Sequence, residues 1–278
     1  MGNFKNNKYV LRVRKLGGRV ASLQVPLYAS QACYFVILSA FPLMVVVLSM
    51  IRYAGLDVHY LSDLVSGVLP AALWPMAEDF IFTTYYTISG TVLSLSALTA
   101  LWSAGRGIYA LMSGMNAAYG VKETRGYLHT RILSILYTFG FLAVLLLTLV
   151  LQVFGNSILG FLQTMDGTLF RFLTEVVDLR FFLLLVLQTG LFTAMYTVLP
   201  NRKNRILSSI PGALLSSIGW LIFSDLFSMY VEQLAEFLTF FGSVYAVALS
   251  MLWLYFCICI LFYGAALNRW LEESKKPE

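Results

Sequence analysis

Long apolar stretches alternate along the chain with short segments that hold most of its charged residues. Several of these stretches run for about 20 residues or more, the length of helix needed to cross the ~30 Å hydrocarbon core of a bilayer. The pattern therefore predicts an all-α, polytopic membrane protein with six transmembrane helices. The predicted spans are residues 27–51, 88–112, 131–154, 180–199, 206–230 and 245–267.

Two connections between the predicted spans are long and only moderately polar. In residues 57–87 and 156–179, apolar pairs recur three or four residues apart, which is the spacing of amphipathic helices. We expect these helices to lie along the outer face of the membrane or to cap the bundle. Residues 1–278 are predicted to form a single integral membrane domain.

The charged residues predict the orientation of the spans. Most of the 19 Lys and Arg residues lie before the first span, between the second and third, between the fourth and fifth, and after the sixth. Basic residues are retained on the cytoplasmic side of the membrane, so both termini are predicted to be cytoplasmic. Residues 1–25 form a basic cytoplasmic segment. It either binds anionic lipid headgroups as a surface helix or only sets the topology.

The composition excludes several classes of protein. Charged residues make up 12% of the chain, about half of what soluble globular domains carry, so a soluble helical protein is disfavoured. The net charge of +5 comes from the short segments between spans, and we expect no nucleic-acid partner. The sequence has no glycine loop with a phosphate-binding lysine and no metal-binding or acid–base cluster. We therefore expect no enzymatic activity, no cofactor and no metal ion.

Arg106 lies within the second predicted span, where an arginine is costly and is a candidate for function. Counting from Ile88 places it about 27 Å from the outer end of the span. It is therefore expected near the inner headgroups, where its side chain can extend towards water. Two interpretations stay open: a structural residue at the interface, or an inner-mouth contact to a lipid phosphate or another anion.

Three acidic residues lie at or just beyond the outer end of the fifth predicted span. Because no Pro or Gly occurs between Gly219 and Gly242, one helix that continues past the membrane would place Asp225, Glu232 and Glu236 on one face. This acidic stripe is either a solvated helix face or the lining of an outer vestibule that attracts cations.

Pro42 lies in the middle of the first predicted span, where it removes one backbone hydrogen bond and predicts a helix kink. Broken helices line substrate sites in transporters, whereas a plain kink is the alternative. Small residues also recur four apart, which lets helix backbones approach closely in lipid. These rows are predicted to be packing faces: Ser208, Gly212 and Ser216; Ser209, Ala213 and Ser217; and Ser103 with Gly107.

Several motifs within the spans occur in a distinctive order. They are Leu101 to Tyr119 (LWSAGRGIYALMSGMNAAY), Met195 to Pro200 (MYTVLP), Pro211-Gly212-Ala213 with Trp220, Gly242-Ser243, Leu252 to Tyr255 (LWLY) and Gly264 to Asn268 (GAALN). The ordered set resembles the YihY/BrkB family of bacterial inner-membrane proteins. One position departs from the family, whose last span usually reads Gly-Ala-Glu-Leu-Asn: Ala266 stands where the family has glutamate.

The resemblance implies a multi-pass protein of the bacterial inner (plasma) membrane. The family once carried a ribonuclease label that is a misassignment, and its members have been linked to serum resistance, envelope lipid export and ion exchange. We therefore predict a transporter or exporter of a lipid, amphipathic molecule or ion, without its own ATPase. The alternative is a non-transporting scaffold for envelope-building enzymes.

Substrates of a transporter would contact a cavity among the first, second, fifth and sixth spans. The residues expected to line it are Arg106, Trp102, Asn116, Tyr119, Tyr196, Trp220, Trp253, Tyr255 and Asn268. Anchoring at the membrane interface is the alternative role for the aromatic residues. Hydrogen bonding between helices is the alternative for the two asparagines.

Overall fold

The chain folds into a bundle of α-helices. The computed structural model describes residues 23–53, 55, 57–59, 62, 74–126, 128–139, 179–233 and 235–274, and no strand occurs within them. The helices are α1 (Val25–Tyr53), α2 (Trp74–Thr87), α3 (Gly90–Tyr119), α4 (described over 128–139), α5 (Leu179–Val198), α6 (Ile206–Gln233) and α7 (Ala235–Ser274). The all-α prediction is confirmed for this part of the chain.

Three helices are long and apolar enough to cross a membrane. They comprise Val25–Tyr53, Ile206–Val231 and Val247–Ser274, and a shorter apolar helix covers Leu185–Val198. These segments match the first, fifth, sixth and fourth predicted spans. Most of the third predicted span, the amphipathic segment 156–179 and the basic segment 1–25 lie outside the described residues.

Helix α3 extends beyond the second predicted span. Ser89 caps its first turn by accepting a hydrogen bond from the Val92 N–H, and Gly120 ends it with a left-handed φ of 65°. Small and polar residues along α3 are buried, among them Ser103 and Asn116. Such residues lower the hydropathy of a helix without exposing it to water, and α3 is not among the described helices that are long and apolar enough to cross a membrane.

Small residues set the closest helix contacts. A methyl group on Gly212 would overlap the Gly264 carbonyl oxygen, and one on Gly264 would overlap the Gly212 carbonyl oxygen, so α6 and α7 touch backbone to backbone. On α3, a Cβ at Gly107 would lie 3.2 Å from a Val36 methyl of α1. Ser209, Ala213, Ser216, Ser217 and Ser103 are buried, and Ser208 is only half-buried. The predicted packing faces are thus confirmed apart from that one residue.

Large apolar side chains cover the outside of the bundle. Leu95, Leu98, Leu207 and Leu226 are each more than half exposed. An apolar surface this extensive is unfavourable in water, whereas in a bilayer it contacts lipid chains.

The acidic stripe does not lie on one helix. Helix α6 ends at Gln233 and α7 begins at Ala235, so Glu236 stands in a different helix from Asp225, and the prediction of one continuous helix is wrong. The chain reverses between Ser224 and Trp253, since α6 and α7 pack antiparallel: Gly212 meets Gly264, and Ser224 meets Trp253. Asp225 is exposed, and the side chains of Glu232 and Glu236 lie outside the described residues.

Pro42 lies inside α1, which is helical on both sides of it. Because proline has no N–H, the carbonyl of Leu38 lacks its usual helical donor. The kink at this position stays a prediction.

Candidate functional site

Asn268 is a fully buried polar residue that joins three helices. Its Oδ1 accepts a hydrogen bond from the Gly212 N–H (2.7 Å), and its Nδ2 donates to the Ser209 carbonyl oxygen (3.0 Å) and to the Tyr119 hydroxyl (3.4 Å). The two α6 groups lie on either side of Pro211, which breaks the backbone hydrogen-bond ladder. The Asn268 amide therefore adds a donor and an acceptor to the α6 backbone beside Pro211.

Asn116 joins the end of α3 to two connections. Its Nδ2 donates to Glu123 Oε2 (2.8 Å), and its Oδ1 accepts from the Asn201 N–H (2.7 Å). The Asn201 side chain in turn donates to the Thr124 hydroxyl (2.7 Å) and to the Lys122 carbonyl oxygen (3.2 Å). The connections after α3 and after α5 are thus held against each other.

Glu123 and Arg125 form a two-pronged ion pair beside Asn116. Arg125 Nε and Nη2 lie 2.8 Å and 2.9 Å from the two carboxylate oxygens, and Nη2 also donates to the Leu199 carbonyl oxygen (3.2 Å). Burial alone would raise the pKa of the Glu123 carboxyl. The hydrogen bonds and charge of Arg125, with the bond from Asn116, outweigh it and lower the pKa. Glu123 is therefore held as a carboxylate.

Two more arginines complete this group at the same end of the bundle. Arg202 lies 4.4 Å from the Tyr119 ring centroid and pairs with Glu272 of α7. Arg269 pairs with Glu273 at 2.9 Å and covers Gly120, where any side chain would overlap its guanidinium. We name the group the loop-end cluster: Asn116, Tyr119, Glu123, Arg125, Asn201, Arg202, Asn268, Arg269, Glu272 and Glu273. Its arginines are paired with carboxylates, which suits a structural clamp.

Tyr196 and two tryptophans occupy the α5–α6–α7 interface. The fully buried Tyr196 hydroxyl donates to the Leu261 carbonyl oxygen (2.7 Å) and lies 2.8 Å from Ser216 Oγ. Further along, the Trp220 and Trp253 rings meet edge to face at 5.6 Å, and Trp253 Nε1 donates to Ser224 (3.2 Å).

The expected lining residues thus occupy three different environments. Asn116, Tyr119, Tyr196 and Asn268 are buried and hydrogen-bonded; Trp220, Trp253 and Tyr255 are half-buried; and Trp102 is 48% exposed. The structure brings Tyr119 to Asn268, Trp220 to Trp253, and Arg106 to Trp102. Substrate contact by these residues stays a prediction.

Arg106 lies near the middle of the 30-residue helix α3, about 20 Å along the helix from Tyr119 at 1.5 Å per residue. Helix α3 continues beyond the predicted span, and the expectation that Arg106 lies near the inner headgroups stays a prediction. Its guanidinium lies 5.6 Å from the centroid of the Trp102 ring. Within the described residues, no carboxylate pairs with it.

Arg131 approaches Trp102 from α4. Its Nη2 donates to the Trp102 carbonyl oxygen (3.1 Å), and its guanidinium covers Gly105, where a Cβ would lie 3.2 Å from Nη1. Two arginines thus lie beside one partly exposed tryptophan, and the part of the chain that the structure describes offers neither of them a carboxylate.

A family model described as virulence factor BrkB matches residues 17–278. The chain belongs to the BrkB family. It is 30% identical over 248 residues to the ribonuclease-like protein YfkH of Bacillus subtilis, a match that covers 89% of this chain and 90% of that protein. It is 22% identical over 275 residues to a UPF0761 membrane protein of Vibrio vulnificus, covering 95% of this chain and 83% of the relative. No solved structure matches the chain.

Membership confirms the resemblance drawn from the ordered motifs and identifies a bacterial membrane protein. Among the described residues of this BrkB-family protein, no three His, Cys, Asp or Glu side chains are grouped to hold a metal ion. Sequence reasoning treated Arg131, Arg125 and Arg202 only as topogenic charges. The one available signal for the Arg131 contact was Gly105, since a glycine inside a helix admits a bulky neighbour.

Proposed function

We propose that this BrkB-family protein transports or exports a lipid, amphipathic molecule or ion without an ATPase of its own. We further propose that it crosses the bacterial cell membrane six times with both termini in the cytoplasm, in contact with membrane lipids. The transport proposal rests on Arg106. The proposed topology rests on the loop-end cluster, where the basic connections meet at one end of the bundle.

Arg106 favours transport because its position is costly. An arginine at the centre of a membrane helix costs about 2.5–3.5 kcal/mol on insertion scales, and such residues mark substrate and ion pathways. In the described part of the chain no carboxylate offsets this cost, and the neighbouring Trp102 is 48% exposed. A charge held beside an accessible aromatic ring suits transient contact with a polar ligand group.

The loop-end cluster supports the topology. It unites the basic connections after α3 and after α5 with the end of α7, as expected if all three are cytoplasmic. Arg125 lies beside Leu199, and the 20-residue helix α5 carries the chain about 30 Å back to Leu179. Helix α5 is thus long enough for the predicted span 180–199 to cross the hydrocarbon core.

Transport is tested with the purified protein in liposomes, by measuring cation flux and the movement of a fluorescent phospholipid between leaflets. The wild type is expected to conduct at least one of them, and Arg106→Gln to reduce that rate about tenfold or more, because the intramembrane charge is lost. Arg205→Gln is the matched control, since Arg205 is exposed at the start of α6. It is expected to retain the rate.

Two results would count against this proposal. Equal flux in Arg106→Gln and wild type would show that transport does not need Arg106, on which the proposal rests. Absence of both fluxes with folded protein would favour the scaffold, which the rigid backbone contact between Gly212 and Gly264 also suits.

Single cysteines test the topology. Ser274 and Tyr53 are both exposed. In the proposed topology Ser274 lies on the cytoplasmic side of the membrane and Tyr53 on the outer side. In intact cells, an impermeant maleimide is expected to label Tyr53→Cys and not Ser274→Cys, which should react only after the membrane is opened. Labelling of Ser274→Cys in intact cells would overturn the proposed orientation.

A further inference from the structure

The two arginines beside Trp102 share one side of helix α3. Positions 102, 105 and 106 lie within about 100° of one another around a helix with 3.6 residues per turn. Arg106 approaches the Trp102 ring from its own helix, and Arg131 crosses Gly105 to reach the Trp102 carbonyl oxygen. Both guanidinium groups therefore lie beside one half-exposed tryptophan.

Two positive charges beside the same residue on an apolar surface both favour a nearby anion. Elsewhere in the described chain, Arg125, Arg202 and Arg269 each pair with a glutamate. Arg106 and Arg131 have no such partner within the described residues. This difference distinguishes the Trp102 face from the loop-end cluster.

We propose that Arg106 and Arg131 bind one phosphate-type oxyanion against Trp102. The inference rests on the proposed transport function and names its substrate class, an amphipathic molecule with a phosphate headgroup. Planar guanidinium groups offer paired N–H donors that match phosphate oxygens. A tetrahedral phosphate has enough oxygens to accept from both arginines at once, whereas one arginine already satisfies a carboxylate.

The rest of this face suits an amphipathic ligand. Leu98 and Leu95 lie about one and two turns before Trp102 on the same side of α3, and they are 68% and 65% exposed. An acyl chain can lie along these leucines while its phosphate meets the arginines. A methyl group at Gly105 would lie 3.2 Å from Arg131 Nη1, so the guanidinium would have to shift by a few tenths of an ångström.

The site is tested with purified protein in a sugar-headed detergent that carries no phosphate and no charge. Native mass spectrometry measures retention of added phosphatidic acid, with diacylglycerol and a fatty acid as phosphate-free comparisons. Wild type is expected to retain phosphatidic acid at least tenfold more strongly than either comparison. Arg106→Gln and Arg131→Gln are each expected to weaken retention about tenfold or more, since each removes charge-assisted hydrogen bonds.

Two further variants separate a built site from general charge. Arg131→Lys keeps the charge but removes the paired N–H donors of the guanidinium, so it is expected to weaken retention, whereas general charge attraction would leave retention unchanged. Arg205→Gln is expected to bind like wild type. Equal loss in Arg205→Gln, or equal retention of the fatty acid, would overturn the proposal.

Inorganic phosphate distinguishes the two sources of the anion. If millimolar phosphate displaces phosphatidic acid, the site takes free phosphate as well as the lipid headgroup; if it does not, the acyl chains contribute and the ligand is a lipid. The proposed binding site and the proposed transport function can also be overturned independently of each other. Arg106-dependent flux without phosphatidic acid binding would overturn only the site, and binding without flux would overturn only transport.

Discussion

Replacing Gly264 by alanine is expected to lower the thermal unfolding midpoint of the protein in detergent by about 5–10 °C. The added methyl group would overlap the Gly212 carbonyl oxygen, the Ser216 hydroxyl and the Tyr196 hydroxyl. A hydroxyl can rotate away, but the Gly212 carbonyl belongs to the α6 backbone, so α6 and α7 must separate. Overpacking of this kind costs about 3 kcal/mol, and each kcal/mol corresponds to roughly 2–4 °C in a chain of this size.

Gly190→Ala is the matched control for this substitution. Gly190 is also a helical glycine, but a Cβ there meets nothing within 4 Å. Alanine is the better helix former, so this variant is expected to unfold at the wild-type temperature or slightly above it. Equal midpoints for Gly264→Ala and wild type would show that α6 and α7 do not touch at this position.

Replacing Asn268 by leucine is expected to destabilise the protein by a similar amount, about 3 kcal/mol. Leucine has nearly the same volume but leaves the Gly212 N–H and the Ser209 carbonyl without the partners that Asn268 provides. Each buried group left unpaired costs about 1–3 kcal/mol.

Amide hydrogen exchange, measured residue by residue, tests this prediction at Gly212. The Gly212 amide is expected to exchange faster in Asn268→Leu, whereas amides in the distant half of α6 should keep their wild-type protection. Gln233→Leu makes the same replacement of an amide side chain at an exposed position and is expected to leave both the midpoint and the exchange unchanged. Unaltered Gly212 exchange in Asn268→Leu would contradict the assigned role.

The two substituted positions were predicted from the sequence to different extents. The small-residue rows on α6 predicted a packing face, and the structure places Gly212 on it against Gly264. The partner residue Asn268, directly after the last predicted span, was predicted either to line a cavity or to hydrogen-bond between helices. Its exact acceptors and donors depend on how far α7 slides along α6, which no local pattern records.

The ends of the helices were likewise predicted only in part. The predicted spans 27–51, 180–199 and 206–230 begin within two residues of α1, α5 and α6, because charged or proline-containing connections interrupt the apolar runs. The end of α3 was missed, since its last turns hold small and polar residues that read as a connection. The reversal between Ser224 and Trp253 was missed as well.

The sequence by itself determined that this is an all-α membrane protein of the BrkB family, because apolar run length and an ordered set of motifs are one-dimensional properties. Only the tertiary structure decided which polar groups are paired. The loop-end cluster neutralises Arg125, Arg202 and Arg269 with glutamates, whereas Arg106 and Arg131 meet at Trp102 without one among the described residues. The physical reason is that a charge depends on its neighbours within a few ångströms. Those neighbours come from helices far apart in the chain.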